Sequence, residues 1–106
     1  MKKQMSTLAG KLVNDLDLLK RHIVMLQLVA ENEPIGIIKL AEMLKLPQHK
    51  VRYSLRLLES DGLIEATTAG ARVTKRVKPF LDELKDQLGT MNVSIQNIQK
   101  SLEDVE

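Results

Sequence analysis

From Val77 to Val105 the apolar residues advance in strict steps of four and three: Val77, Leu81, Leu84, Leu88, Met91, Ile95, Ile98, Leu102 and Val105. That alternation holds one narrow stripe on one side of a helix for heptad after heptad, which is the pattern of a coiled-coil seam. At about 1.5 Å per residue such a helix reaches roughly 43 Å, more than a body built from the rest of the chain can cover. The stripe calls for a partner, most simply a second copy, with Leu81, Leu84, Leu88, Met91, Ile95, Ile98 and Leu102 as dimerisation residues. The flanking positions Gln87, Asn92, Ser94, Gln99 and Ser101 carry no charge, so parallel and antiparallel pairing stay open. Pro79 and Gly89 weaken the pattern, the glycine by about 1 kcal/mol relative to alanine, and whether the helix continues through "LGTMN" stays open.

Upstream the period is that of globular helices. Leu12, Leu16, Leu19, Ile23, Leu26 and Ala30, widened by Met25 and Val29, form an amphipathic helix that ends before Pro34 and has a point of interruption at Asn14-Asp15. "PIGI" is a short extended connector, since Pro34 biases Glu33 away from helix. "IIKLAEMLKL" follows as a short helix with Ile37, Leu40, Ala41 and Leu44 on one face, closed by Pro47. The next helix starts near Gln48, buries Val51, Leu55 and Leu58, and ends on Gly62 as a left-handed cap. "LIEAT" and "ARVTK" are β-capable, and "TAG" between them is a tight turn with Gly70 supplying any positive φ. Leu63 joins Leu55 and Leu58 where the hairpin leans on the helices.

The chain has 106 residues and no cysteine, enough for one compact domain with an appendage and without a disulfide framework. The expected division is a helical extension over 1–17, a domain over 18–78 and a dimerisation helix over 79–106. No apolar run has membrane-spanning length, and Lys11 interrupts the start where a signal peptide needs an apolar core, so a cytoplasmic setting is expected. Residues 47–78 hold seven basic side chains against three acidic ones, whereas residues 79–106 hold two against six. The middle of the chain therefore attracts a polyanion and the tail repels one.

The segment "LAEMLKLPQHKVRYSLRLLESDGLIEA", with only "LPQ" between two helices, resembles the winged helix-turn-helix of microbial transcriptional regulators. It is most similar to small archaeal predicted regulators, and "LRLLESDGLIE" looks like the recognition helix running into the first wing strand in the MarR and ArsR kinds. The resemblance covers Leu18 to Lys78. It implies a mainly α fold with a small β-hairpin wing, Leu40, Ala41 and Leu44 in the supporting helix, and Gln48 to Ser60 as recognition helix. It implies binding of double-stranded DNA, and the seam on the tail makes the expected binder a dimer. The short wing "TTAGA", with Arg72 as the one basic side chain near its tip, departs from the family pattern.

Residue chemistry on the third helix agrees. With Val51 at zero and about 100° per residue, Arg52, Arg56, His49, Tyr53 and Lys50 fall between about 100° and 260°, opposite the apolar stripe. An α-helix fits the major groove of B-DNA, where arginine pairs in bidentate fashion with guanine. Arg52 is the expected base reader, with His49 and Tyr53 beside it. Lys50, Arg56, Arg72, Lys75 and Arg76 are the expected phosphate contacts. The bland alternative for two arginines four residues apart is a solvated face, and Tyr53 could equally pack over the wing. His22 is read as a packing or surface histidine, and Met5, Met25, Met43 and Met91 as core or seam residues. The chain has no cysteine, its two histidines sit on different helices without an obvious carboxylate partner, and no glycine-rich phosphate loop or metal-ligand spacing points to an enzyme, so no cofactor is implied. A low-specificity chromatin-type protein and a winged helix used only for protein contacts are the rival readings.

Overall fold

A computed structural model of the protein describes residues 7–105. Met5 lies outside them. The elements are α1 (Thr7–Asn32), α2 (Ile37–Leu44), α3 (Gln48–Ser60), β1 (Ile64–Thr67), β2 (Gly70–Val73) and α4 (Val77–Leu102). Three helices followed by a two-stranded wing make a winged helix, with a long helix after it. The chain divides at Thr74–Lys75 into two compact units.

In the first unit α3 is the hub: it packs on α1, α2 and β1, while α1 also reaches β2. The core is Met25, Leu26, Val29, Ile35, Leu40, Val51, Leu58, Leu63, Ile64 and Ala71. Burying each of these side chains other than Ala71 contributes about 1.5–3 kcal/mol before the ordering cost is subtracted.

α1 is continuous through Asn14 and Asp15, against the interruption expected there. Neither residue is a strong breaker, each costing well under 1 kcal/mol in a helix interior, and Lys11 Nζ meets Asp15 Oδ2 at 3.1 Å across the spot. The apolar stripe of α1 is divided along its length. Met25, Leu26 and Val29 are buried, but Leu8, Leu12 and Leu16 stay exposed because the packed body covers the C-terminal half.

The connector after α1 does more than span a gap. Ile35 N–H donates to Ala71 O (3.1 Å) and Ala71 N–H donates to Ile35 O (2.8 Å), adding a third rung beside the hairpin. Gly70, at φ 134°, is required by that rung, since a Cβ there would sit 2.7 Å from the backbone N and C of Ile35. Its role is close approach as much as turning.

α2 ends on Lys45 in a left-handed conformation (φ 56°), a position no glycine announces in the sequence. Met43, expected in core or seam, is exposed. α3 closes with a full Schellman arrangement: Leu63 N–H donates to Leu58 O, Gly62 N–H donates to Glu59 O, and Gly62 takes φ 76°. Leu58 and Leu63 are both buried beside it.

The phase of α3 corrects one expectation. Its buried residues are Val51, Ser54 and Leu58, and Leu55 is only half-buried. The buried arc is rotated toward Ser54, whose hydroxyl is satisfied by two residues of α1 described below. In the hairpin, Ile64 pairs with Val73, Glu65 with Arg72, Ala66 with Ala71 and Thr67 with Gly70. Thr67 Oγ1 stitches the turn, donating to Gly70 O and accepting from Ala69 N–H.

In the second unit α4 runs unbroken through Gly89, which answers the question "LGTMN" left open. Pro79 lies within its first turn, where a missing N–H costs nothing. The helix has no buried residue. Leu88, Met91, Ile95, Ile98 and Leu102 are exposed on it, Leu81 and Leu84 are half-buried, and Val105 falls beyond its end. No helix among the described residues is long and apolar enough to cross a membrane.

Candidate nucleic-acid interface

α3 enters its helix from Pro47, whose extended backbone serves as N-cap. Because the apolar arc of α3 is committed to the core, its remaining arc must face solvent. There the structure places five of the residues singled out in the sequence. His49, Lys50, Arg52, Tyr53 and Arg56 are all exposed, and together they line one open groove of about 610 Å³. Its lining contains no carboxylate.

The sixth residue of that groove is Arg21, which comes from α1. Its Nε donates to Ser54 Oγ at 3.0 Å, and its guanidinium carbon lies 5.9 Å from the centre of the Tyr53 ring. Ser54 is fully buried, and His22 Nδ1 is 2.9 Å from the same oxygen. The oxygen accepts from Arg21 and, with a second lone pair and its own O–H, pairs with Nδ1 of His22 in either tautomer of the ring. Burial holds the His22 pKa below its usual value near 6.5, and the Arg21 guanidinium lowers it further. The His22 and Tyr53 rings stand 6.1 Å apart, tilted by 46°. Tyr53 thus leans toward α1, not over the wing.

On its other side α3 borders a second groove of about 400 Å³. There Arg52, Leu55, Arg56 and Glu59 face the hairpin and the Ile35–Ile37 connector. Half-burial of Leu55 follows from its place on this wall. A third, shallow groove lies between Gln48 and the start of α2. Arg52 borders all three, so it occupies the centre of the exposed face of the helix.

Arg72 is exposed on β2, opposite Glu65, and lines none of these grooves. Lys75 and Arg76 fall past Thr74, in the second unit. The dimerisation residues expected from the heptads are all on α4.

Sequence reasoning missed Arg21 and Ser54. A signal existed for the second: Ser54 is three residues after Val51 and four before Leu58, on the same face. A polar side chain on a core stripe needs a buried partner. Nothing in the sequence told which side of α1 would supply it.

The model of the family described as CggR N-terminal DNA binding domain matches residues 18–88. Among solved structures, the activation domain of the phage T4 transcription factor MotA is similar with a TM-score of 0.53 and 18% identity. The match covers 69% of this chain and 78% of that one. At that identity the likeness is one of fold alone. No curated protein matches the sequence.

Proposed function

The chain belongs to the CggR N-terminal DNA binding domain family, and from that premise we propose that it binds double-stranded DNA and regulates transcription, acting as a homodimer with α3 in the major groove. The observation that carries this reading is the exposed arc of α3: three cations, a histidine and a tyrosine line one groove with Arg21 and no acid. The likeness of "LRLLESDGLIE" to the MarR and ArsR kinds, and the archaeal type, are finer proposals about the same motif.

Arg52 is the base reader, since it sits early in the helix and at the centre of its exposed face. His49 and Tyr53 flank it. Lys50, Arg56, Arg72, Lys75 and Arg76 contact phosphates, which position the helix without reading sequence. α4 pairs with its copy through Leu81, Leu84, Leu88, Met91, Ile95, Ile98 and Leu102. The expected site is then an inverted repeat, with half-site centres about 34–36 Å apart unless the helix pairing imposes a longer step.

A winged helix used for protein contacts has one point in its favour, because the MotA neighbour is described as an activation domain. The clustering of cations on one arc with no acid among them favours a polyanion over a protein partner. Gel-shift titrations with genomic fragments against random competitor test the proposal. Arg52→Ala should lose about 1–3 kcal/mol on the preferred duplex and relax one base position per half-site. Lys75→Ala should weaken all duplexes alike and lower the salt dependence by about one unit of slope. Equal affinity of wild type and Arg52→Ala for every duplex would reduce the helix to a solvated face. Tight binding without preference would leave a chromatin-type protein.

A further inference from the structure

We propose that α1 takes part in the DNA interface: Arg21, positioned by Ser54, contacts a backbone phosphate seated in the groove between Arg21 and Lys50. This rests on the DNA reading above and adds to it a phosphate contact and a positioning residue in the helix–helix junction.

Arg21 is restrained from two directions. Its Nε is committed to Ser54, and Tyr53 lies against the guanidinium. Ser54 is itself fixed, being fully buried and bonded to His22 as well. With two lone pairs and one O–H, the Ser54 hydroxyl pairs with His22 and still accepts from Arg21. Among the described residues the two terminal nitrogens of Arg21 make no hydrogen bond, and the side chain lines the open groove. A planar fork with one edge anchored and the other unused is suited to an anionic oxygen. Much of the rotamer entropy an arginine loses on binding is already lost in the folded protein, which favours affinity by pre-organisation.

Charge points the same way. Arg21, Lys50, Arg52 and Arg56 share a groove with no carboxylate, so the unliganded protein holds mutual repulsion that an anion relieves. The repeating anion that reaches such a groove beside a helix in the major groove is a backbone phosphate.

The test uses the full chain and one preferred duplex, with anisotropy titrations between 50 and 200 mM salt and a melting curve for each variant. Arg21→Gln should lower the slope of log K against log salt by about 0.9, so that the wild-type advantage shrinks about 3.5-fold across that range. Base preference should stay as in wild type. Lys11→Gln makes the same charge change on the exposed first half of α1 and should leave the slope unaltered. Ser54→Ala should weaken binding in the wild-type background and have no further effect on top of Arg21→Gln, because it acts through that side chain. Should Ser54→Ala melt below the assay temperature, Arg21→Lys replaces it. That variant keeps the charge without the Nε–H, and should keep the slope while losing affinity.

An unchanged slope in Arg21→Gln with sequence preference intact overturns this proposal and leaves the DNA reading standing. Equal slope losses in Arg21→Gln and Lys11→Gln overturn it too, as diffuse charge would then explain both. So does an additive effect of Ser54→Ala, or wild-type affinity in Arg21→Lys. If the wild type binds no duplex at all, the DNA reading fails and this contact fails with it.

Discussion

α3 and α4 are both one-sided helices, yet they meet opposite fates. Thirteen residues of α3 bury Val51, Ser54 and Leu58 inside their own unit, whereas twenty-six residues of α4 bury none. The contrast recurs inside α1, where Met25, Leu26 and Val29 are covered and Leu8, Leu12 and Leu16 are not. Hydrophobic spacing states which face of a helix seeks cover, but says nothing of where the cover comes from. A stripe as long as that of α4 exceeds what a small body can shield, and the surplus is the physical argument for a second chain.

The largest effect should come from placing a charge on the uncovered stripe. Ile95→Asp should convert the proposed dimer to monomer, because an unpaired charge in a packed seam costs on the order of 3 kcal/mol or more. Sedimentation equilibrium at micromolar concentration reads this directly. A dimer unaffected by the substitution would move the interface away from α4 and erase the contrast with α3.

Next in size are the covered leucines. Leu58→Ala should cost about 2–5 kcal/mol in urea unfolding, as for other buried leucines. Leu55→Ala should cost clearly less, since its side chain is half in solvent. Equal losses would mean that the rotation of the buried arc toward Ser54 is wrong.

Two glycines set the units against each other at a smaller scale. Gly70→Ala should destabilise by more than about 1 kcal/mol, because the new Cβ meets the Ile35 backbone at 2.7 Å and φ is positive. Gly89→Ala meets nothing within 4 Å and should instead stabilise α4 by about 0.8–1.0 kcal/mol. Thermal melts of both variants give the two signs.

The smallest effect is the pH dependence of the α1–α3 junction. His22 has a lowered pKa in the folded chain, so the unfolded chain binds the proton more readily. Its contribution to stability is whole above the unfolded value near 6.5 and is lost as pH falls from there through the lower folded value. Protonation would also set an imidazolium beside the Arg21 guanidinium. His22→Gln should flatten the stability profile in that window, measured as the urea midpoint against pH. A profile with the same slope in variant and wild type would remove His22 from the account.

How much of this was legible beforehand depended on how local the cause was. The end of α3 could be read from "ESDGL", since a Schellman cap needs a glycine just after the helix and an apolar residue after that, and both conditions lie within five residues. The hairpin was legible for the same reason. The cationic arc of α3 was legible too, because helical periodicity alone fixes which residues of one helix share a face. The length of α4 and the single apolar stripe along it followed from period alone.

Tertiary structure decided what depends on a neighbour distant in sequence. Gly70 looked like a turn residue, and only the approach of Ile35 shows why a Cβ is excluded there. Leu55 and Ser54 exchanged places in the core because α1 brings Arg21 and His22 to the serine hydroxyl, 33 and 32 residues away in the chain. Arg21 entered the groove by the same contact. Periodicity is a property of one helix and survives in the sequence, whereas the identity of the neighbour is settled by packing, which the sequence encodes only through all its residues at once.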